Sequence, residues 1–426
     1  MATKAEGGNW SGWLRRIAAC TLLILVATGS FWFSPAPLTD DEYCGTYLHL
    51  GPHAGFTANC DGFVYMEDAR HPAHLLEPGE VRQSRPLFIL LGTVVGYPAT
   101  WAVQGLQRAG LLPEQVMQKL PGKYQPLLGF YIGYVLLNYA VLLAALLLFR
   151  HLYYRLTSGQ GRRWVLAALL VFLVSNQITK AFFWTVHQQM FTFLVPLLLL
   201  YVLLQLRESP QWRARLPGLA VLGGLLALVY GSFVLGLPVL LYEAWRQQKA
   251  KSGAVLAVRL ALLIGLFALP TILWIGLLKL RGVAYYNHEA EAYGQLVWLR
   301  ASWQQPLPAF LKLATHNLRR FLQTLPAVGP FLVVALGLTG WLRVQRPTQS
   351  GHPLPQLGAL LLLQLVFLAL LGYYKERLTF TLVPLLLLVL AIVLARLPAQ
   401  RSTGWAVGMA ALGWHLWQVL RYGPFS

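Results

Sequence analysis

The chain has 426 residues, is 57% hydrophobic and has a formal charge of +19, from 34 Lys and Arg against 15 Asp and Glu. A soluble core cannot hide that much apolar surface, whereas a bilayer can, because each spanning helix takes up about 20 mostly apolar residues. The composition therefore excludes an ordinary soluble domain. A nucleic-acid partner is also excluded, since no basic run, finger spacing or RNA-binding signature accompanies the charge.

The N-terminal stretch is polar up to Arg15 and Arg16, which precede the apolar run "IAACTLLILVATGSFWF". A cleaved signal peptide is one interpretation, because small residues follow the run. Its length and its aromatic end favour an uncleaved anchor instead. We therefore expect the N-terminus to be cytoplasmic.

Apolar runs recur along the whole chain, near 14–33, 127–149, 164–179, 188–206, 216–243, 254–280, 325–343, 355–372, 377–396 and 404–420. Short basic connections join several of them: "RHLYYRLTSGQGRR", "RESPQWRAR", "WRQQKAK", "RVQRPTQSGH" and "ARLPAQR". Because Lys and Arg resist translocation, we place all of these connections in the cytoplasm.

That placement decides two ambiguous segments. If 85–106 crossed the membrane, the first basic connection would lie on the far side, so we predict a helix lying in, or dipping into, the outer interface. The run 216–243 lies between two basic connections, so we predict two short helices that turn near "YGSF". The expected fold is an all-α polytopic membrane protein with about 11 transmembrane helices, forming a single integral membrane domain over 1–426.

On this topology, a first periplasmic loop with interfacial helices covers 34–126, and a second covers 281–324. Twelve of the fifteen acids lie on the outer side, so polar chemistry is expected there. Cys44 and Cys60 fall in the first loop, where oxidising conditions permit a disulfide. Two free thiols are the alternative.

The first loop opens with "TDDE". Thr39 and Glu42 match a capping box, which predicts a helix running from Asp40 toward Leu50. The same acids also suit catalysis at the membrane surface. An ionised carboxylate can accept the proton of a sugar hydroxyl, or hold a divalent cation against a phosphate.

An acidic cluster directly after the first helix, at the start of a long outer loop, resembles the GT-C class of membrane glycosyltransferases. The stretches "HQQMFTFLVPLLLLYVLLQ" and "KERLTFTLVPLLLLVLA" are similar to that class as well, since each runs from a polar edge into a Pro-bearing helix. The resemblance implies catalytic roles for Asp40, Asp41 and Glu42, with Asp41 as the ligand of any divalent cation, Mg²⁺ or Mn²⁺. It also implies a polyprenyl-phosphate sugar donor and a glycan, lipid or protein acceptor.

Further polar residues lie next to the predicted outer ends of helices, where they could bind substrate. Arginine binds phosphate with a planar fork, and charges close to hydrocarbon often mark a ligand. Headgroup anchoring, snorkelling and an exposed Glu376–Arg377 pair are the structural alternatives. The candidates are Arg82, Arg85, Lys180, His187, Gln188, His288, Glu289, Lys375 and Arg377.

These residues predict an inverting glycosyltransferase at the periplasmic face of a bacterial inner membrane, in contact with membrane lipids. A lipid-linked glycan polymerase or ligase is the first alternative, because such enzymes use Arg and His. A transporter is the second, with Arg259 as its clearest intramembrane charge. A non-catalytic scaffold is the third.

Overall fold

The computed structural model describes residues 10–36, 45–59, 61–112, 122–248, 253–345, 354–397 and 401–421. Their helices are α1 Trp10–Ser30, α2 Asp61–Arg70, α3 Pro86–Arg108, α4 Leu128–Leu156, α5 Arg163–Val174, α6 Gln177–Phe182, α7 Phe191–Glu208, α8 Pro210–Ala214, α9 Leu216–Ala227, α10 Gly236–Gln248, α11 Gly253–Leu280, α12 His288–Glu291, α13 Val297–Ser302, α14 Leu307–Leu322, α15 Gly329–Gln345, α16 Leu354–Leu370, α17 Glu376–Thr379, α18 Val383–Arg396 and α19 Arg401–Leu420. Short 3-10 turns join several of them.

Seven helical segments in this part of the chain are long and apolar enough to cross a membrane. They are Ser11–Phe33, Pro86–Arg108, Tyr124–Leu156, Gln188–Glu208, Gly253–Leu280, Leu307–Trp341 and Glu376–Arg396. Three further apolar helices are shorter. The fold is thus that of an α-helical membrane protein, and the total of about 11 spans stays a prediction.

The predicted helix from Asp40 toward Leu50 is wrong where the structure describes it. Strand β1 (Gly45–Gly51) pairs antiparallel with β2 (Ala54–Asn59), and the register places Gly45 opposite Asn59. Thr46 and Tyr47 are of residue types that are enriched in strands. A Cβ on Gly55 would lie 2.5 Å from the carbonyl oxygen of Leu48. Cys44 and Cys60, and with them the disulfide, lie outside the described residues.

The predicted turn within 216–243 is confirmed. Helices α9 and α10 are separated by the 3-10 segment Gly231–Leu235. The hydroxyl of Tyr230, just before this segment, lies 3.0 Å from that of Thr192 in α7. The turn is therefore held against the start of α7.

Helices α4, α7 and α18 run in the same direction through the interior. Arg155, near the end of α4, forms a 2.6 Å ion pair with Glu208 at the end of α7. Arg162 donates a 2.9 Å hydrogen bond to the carbonyl of Leu397, just past α18. Helix α1 lies against α4, with Thr21 and Tyr139 hydroxyls 2.5 Å apart.

The basic connections gather at this end of the bundle, which we call the basic end. Arg207 and Arg246 both pair with the buried carboxylate of Glu243, at 2.9 and 2.8 Å. Together with the contacts of Arg155 and Arg162, these pairs link four of the five predicted cytoplasmic connections. The fifth, 343–352, lies mostly outside the described residues.

Helix α3 packs closely on the first turns of α4 and runs antiparallel to it. A Cβ on Gly92 would collide with the Tyr134 side chain, and a Cβ on Gly133 would lie 3.0 Å from the backbone of Gly96. Small residues at a four-residue spacing let two membrane helices approach closely. These contacts lie at the end of α4 that is farthest from the basic end. They agree with an interfacial position for α3, and that position stays a prediction.

We predict that, in a chain whose three native cysteines are replaced by alanine, a cysteine replacing Ala109, just after α3, is labelled by a membrane-impermeant maleimide from the outside of intact cells. The basic connections fix α4 with its C-terminal end inside, so an interfacial α3 leaves Ala109 outside. Gln160→Cys, in the first basic connection, is the matched control and should be labelled only after lysis. Labelling of the Ala109 variant only after lysis contradicts the topology.

Candidate functional site

Five segments that are far apart in the sequence meet at the end of the bundle opposite the basic end. They are α2, the residues before α3, the turn before α7, the segment after α11, and the turn that contains α17. Trp184 marks this end, since its indole donates to the carbonyl of Thr28 near the end of α1. Most of the predicted substrate-binding residues lie on these segments.

Arg82 is almost fully buried, with 7% of its surface exposed. Its guanidinium donates to the Asp61 carboxylate at 2.9 Å and lies 4.2 Å from the ring centre of Tyr65. The Arg82 Nε–H is buried and has no acceptor among the residues that the structure describes. One donor of this guanidinium is thus buried without a partner in the described part of the chain.

Arg85 connects the segment before α3 with the segment after α11. It forms a 2.5 Å ion pair with Glu289 and donates to the Tyr65 hydroxyl at 3.2 Å. Burial raises the pKa of Glu289, but the charges of Arg85 and Arg82 and a hydrogen bond from Ser84 together lower it by more, so the pKa lies below its usual value. Glu289 is therefore ionised at neutral pH.

His187 lies at the centre of the arginines and is buried. Its Nδ1 accepts a 3.1 Å hydrogen bond from the backbone N–H of Gln189, which leaves the proton of the neutral ring on Nε2. Burial, followed by the charges of Arg377, Arg85 and Arg82, lowers the pKa of His187 well below its usual value. The ring is therefore a neutral hydrogen-bond donor.

Arg377 lies close to His187 although the two residues are far apart in the sequence. Its guanidinium lies 5.9 Å from the ring centre of Phe182, against which His187 also packs, with ring centres 4.7 Å apart. The buried Gln189 amide donates to the Arg377 carbonyl at 3.3 Å and to the Thr192 hydroxyl at 2.8 Å. These bonds fix the arginine turn against the start of α7.

The other predicted residues on these two turns differ in exposure. Gln188 is buried directly beside His187. Lys375 is exposed at the first residue of the Arg377 turn. Arg377 rather than Lys375 is thus the basic residue that acts on His187.

Aromatic rings line the segment after α11. Tyr293 stacks on Tyr373 with ring centres 4.6 Å apart, and the His288 ring meets Tyr293 edge-on at 5.1 Å. The Tyr286 hydroxyl lies 3.3 Å from Nδ1 of His288. Tyr293 is partly exposed, which leaves a flat surface suited to the apolar face of a sugar ring.

The charges of this cluster do not cancel. Arg82, Arg85 and Arg377 carry three positive charges, whereas Asp61 and Glu289 supply two negative ones and His187 is neutral. An anion gains more from such guanidinium groups inside a protein than in water, because the surroundings screen the charge less. The arrangement can hold a phosphate.

Lys180 has a different environment from the one predicted. Its ammonium group donates to the carbonyl of Gln418 at 2.8 Å and to that of Arg421, at the end of α19. A cation at a helix C-terminus satisfies free carbonyls and the helix dipole. These contacts give Lys180 a structural task and lend no support to substrate binding.

The acidic cluster Asp40, Asp41 and Glu42 lies outside the described residues, so its catalytic role stays a prediction. The same holds for a cation on Asp41. Within the described ranges, no three His, Cys, Asp or Glu side chains are grouped to hold a metal ion.

Sequence reasoning missed Asp61 and Tyr65. Asp61 begins α2 and Tyr65 lies one turn later, so both side chains project from the same face toward Arg82. An acid in a first helical turn is common, and nothing in the local sequence separates this one from an ordinary dipole partner.

A second buried carboxylate lies beside the cluster, at Asp68 of α2. One oxygen is 3.6 Å from Nδ1 of His74, and the other has no hydrogen-bond partner in the described part of the chain. Burial raises the pKa of Asp68 to about 7, assisted by the negative charge of Glu80 and opposed by His74 and Arg82.

Comparisons with protein-family models, with curated proteins and with solved structures found no match to this chain.

We predict that Asp68→Asn stabilises the protein at pH 8 relative to wild type by more than it does at pH 5. The folded-state pKa lies above the unfolded one, so the contribution of Asp68 to stability is fully present below about pH 4 and is lost as the pH rises through 7. Thermal unfolding of both proteins in detergent at the two pH values measures the difference. Glu77→Gln, at an exposed acid, is the control, and an equal shift at both pH values contradicts the prediction.

Proposed function

We propose that the protein is an inverting membrane glycosyltransferase that moves a sugar from a polyprenyl-phosphate donor to an acceptor at the outer face of the membrane. The acceptor is a glycan, a lipid or a protein. The proposal follows the resemblance to the GT-C class, and its residues come from the cluster around His187.

The convergence of Arg82, Arg85 and Arg377 around a buried neutral histidine is the observation that carries the proposal. These arginines come from positions that are nearly 300 residues apart in the chain. Burying several guanidinium groups together is unfavourable unless anions compensate them. Asp61 and Glu289 compensate only part of the charge, so a phosphate is the ligand that best completes the cluster.

The chemistry needs charge stabilisation at the leaving group. As the bond between the sugar C1 and the phosphate oxygen breaks, negative charge grows on the phosphate, and preorganised donors stabilise that charge in the transition state. Guanidinium groups supply charged N–H donors, and the Nε2–H of His187 adds a neutral one. The departing lipid phosphate then needs no proton from a general acid.

The acceptor hydroxyl must lose its proton as its oxygen attacks C1 from the opposite face. Asp40 or Asp41 is the expected base, because an ionised carboxylate can take that proton directly. A divalent cation on Asp41 is the alternative role for that residue. The stacked pair of Tyr293 and Tyr373 provides the surface on which the donor sugar is expected to lie.

A lipid-linked glycan polymerase or ligase is the second candidate. The described cluster is built of arginine and histidine, which are the residues that such enzymes use. The two candidates share the lipid-phosphate leaving group and differ in whether the reaction needs the acidic cluster.

We predict that Arg82→Gln and Arg377→Gln each weaken the binding of undecaprenyl phosphate by about tenfold or more, because each removes charge-assisted hydrogen bonds to phosphate. Native mass spectrometry of the purified protein in detergent measures the affinity. Undecaprenol, which lacks the phosphate, should bind weakly and equally to all variants.

The matched control is Arg281→Gln, an exposed arginine at the end of α11. It removes the same charge from the same end of the bundle and should leave binding unchanged. Equal affinity of wild type, Arg82→Gln and Arg377→Gln for undecaprenyl phosphate removes the phosphate role of the cluster.

We predict that Asp40→Asn or Asp41→Asn lowers sugar transfer by about 10²–10⁴-fold, the usual cost of losing a general base. Transfer is measured in proteoliposomes with a panel of radiolabelled undecaprenyl-phosphate sugars and membrane extract as acceptor. The Asn variants should still bind undecaprenyl phosphate, because the arginines are unchanged.

Thr39→Ala is the control beside the acids. It removes a neighbouring hydroxyl, leaves both carboxylates in place and should keep most of the activity. If both Asn variants stay active, the glycosyltransferase loses its base. Transfer that survives in both Asn variants but not in Arg377→Gln favours the polymerase or ligase.

A further inference from the structure

Helix α14 has three distinct faces. Phe310, Asn317 and Phe321 lie on the face that packs against the protein, with Asn317 and Phe321 buried. A second face is apolar and exposed, and a third is basic and exposed. An ordinary surface helix has only a buried face and a polar face.

The exposed apolar face consists of leucines spaced by four, seven and four residues, which places them on one side of the helix. About half or more of each side chain is exposed. Trp303, seven residues before Phe310, is 90% exposed. The leucines are Leu307, Leu311, Leu318 and Leu322.

The basic face lies next to the leucines around the helix. Lys312, His316 and Arg319 are spaced by four and three residues, and Arg320 adjoins them. All four are exposed. Arginine and lysine beside an exposed apolar face are the pattern of a helix that lies in a membrane interface.

This helix cannot be the first half of a spanning helix. Leu307–Trp341 is 35 residues long, which corresponds to about 50 Å of helix, well beyond the roughly 30 Å of a hydrocarbon core. The 3-10 segment Leu325–Val328 interrupts it. Three strongly basic side chains lie before the break, whereas the first 14 residues of α15, which follow it, carry no charge.

The position of α14 is fixed at both of its ends. Near its start, Trp298 stacks on Phe310, and its indole donates to the carbonyl of Leu370 at the end of α16. Near its end, Phe321 packs on Tyr374, with ring centres 6.2 Å apart. Helix α14 therefore crosses the end of α16, next to the turn that carries Arg377.

We propose that α14 lies in the plane of the membrane and docks on anionic phospholipid, with its leucines among the acyl chains and Lys312, Arg319 and Arg320 on the headgroup phosphates. Two observations favour anionic phospholipid as the partner of α14: its basic side chains complement the charge of the headgroups, and α14 is continuous with the apolar helix α15. The basic face ends beside the Arg377 turn, so lipid phosphates gather next to the cluster. The docking itself does not depend on glycosyl transfer.

Spin labels test the orientation of α14 in nanodiscs that contain phosphatidylcholine and phosphatidylglycerol. In a chain whose three cysteines are replaced by alanine, labels go on Leu311→Cys, His316→Cys and, as a deep control, Val333→Cys of α15. The label at 311 should be relaxed by oxygen, as at 333, and the label at 316 by a water-soluble nickel chelate. Equal chelate access at 311 and 316 overturns the proposal, as does equal oxygen access at both.

Lipid binding tests the basic face. Native mass spectrometry should show that a variant with Lys312, Arg319 and Arg320 changed to Gln binds phosphatidylglycerol more weakly, by about fivefold for each charge removed. Its binding of phosphatidylcholine should stay unchanged. The charge-conserving variant K312R/R319K/R320K should retain wild-type binding.

A Gln variant that binds phosphatidylglycerol as wild type does overturns the headgroup role. Binding of undecaprenyl phosphate to the same Gln variant distinguishes this result from a failure of the proposed function. Loss of phosphatidylglycerol with retained undecaprenyl phosphate supports docking by α14 alone, because the Arg82, Arg85 and Arg377 cluster is intact in this variant.

Discussion

The pairing of buried arginines with carboxylates from distant segments is the constraint on which the rest of the site depends. Arg82 is held by Asp61 and Arg85 by Glu289, and removing either carboxylate would leave a guanidinium uncompensated in a poorly solvated place. The pairs join α2, the start of α3 and the segment after α11. They set the distance between these segments, and with it the position of the aromatic rings after α11.

His187 shows how this constraint extends into the helical bundle. Its ring is neutral because it is buried among positive charges, and its tautomer is set by the backbone N–H of Gln189. Gln189 in turn bonds to the carbonyl of Arg377. The third arginine is thus positioned relative to the first two by an uncharged hydrogen bond to its backbone.

The two ends of the bundle carry their charges in different ways. At the basic end, Glu243 and Glu208 pair with arginines between short connections, which ties helix ends together. At the other end, three arginines surround His187, and two of them pair with Asp61 and Glu289, while α14 presents further exposed basic groups.

The sequence by itself determined the class of the fold, because hydrocarbon requires long apolar helices and basic residues mark their connections. It also singled out Arg82, Arg85, His187, Glu289 and Arg377, since charged groups beside apolar runs are costly without a purpose. Only the tertiary structure decided that these residues meet, which needs contacts between segments that no local pattern encodes. It also decided that "TYLHL" forms a strand rather than a helix, because cross-strand pairing overrides local propensity. The role of Lys180 at the end of α19 also depends on a contact between segments that are far apart in the sequence, so only the tertiary structure could assign it.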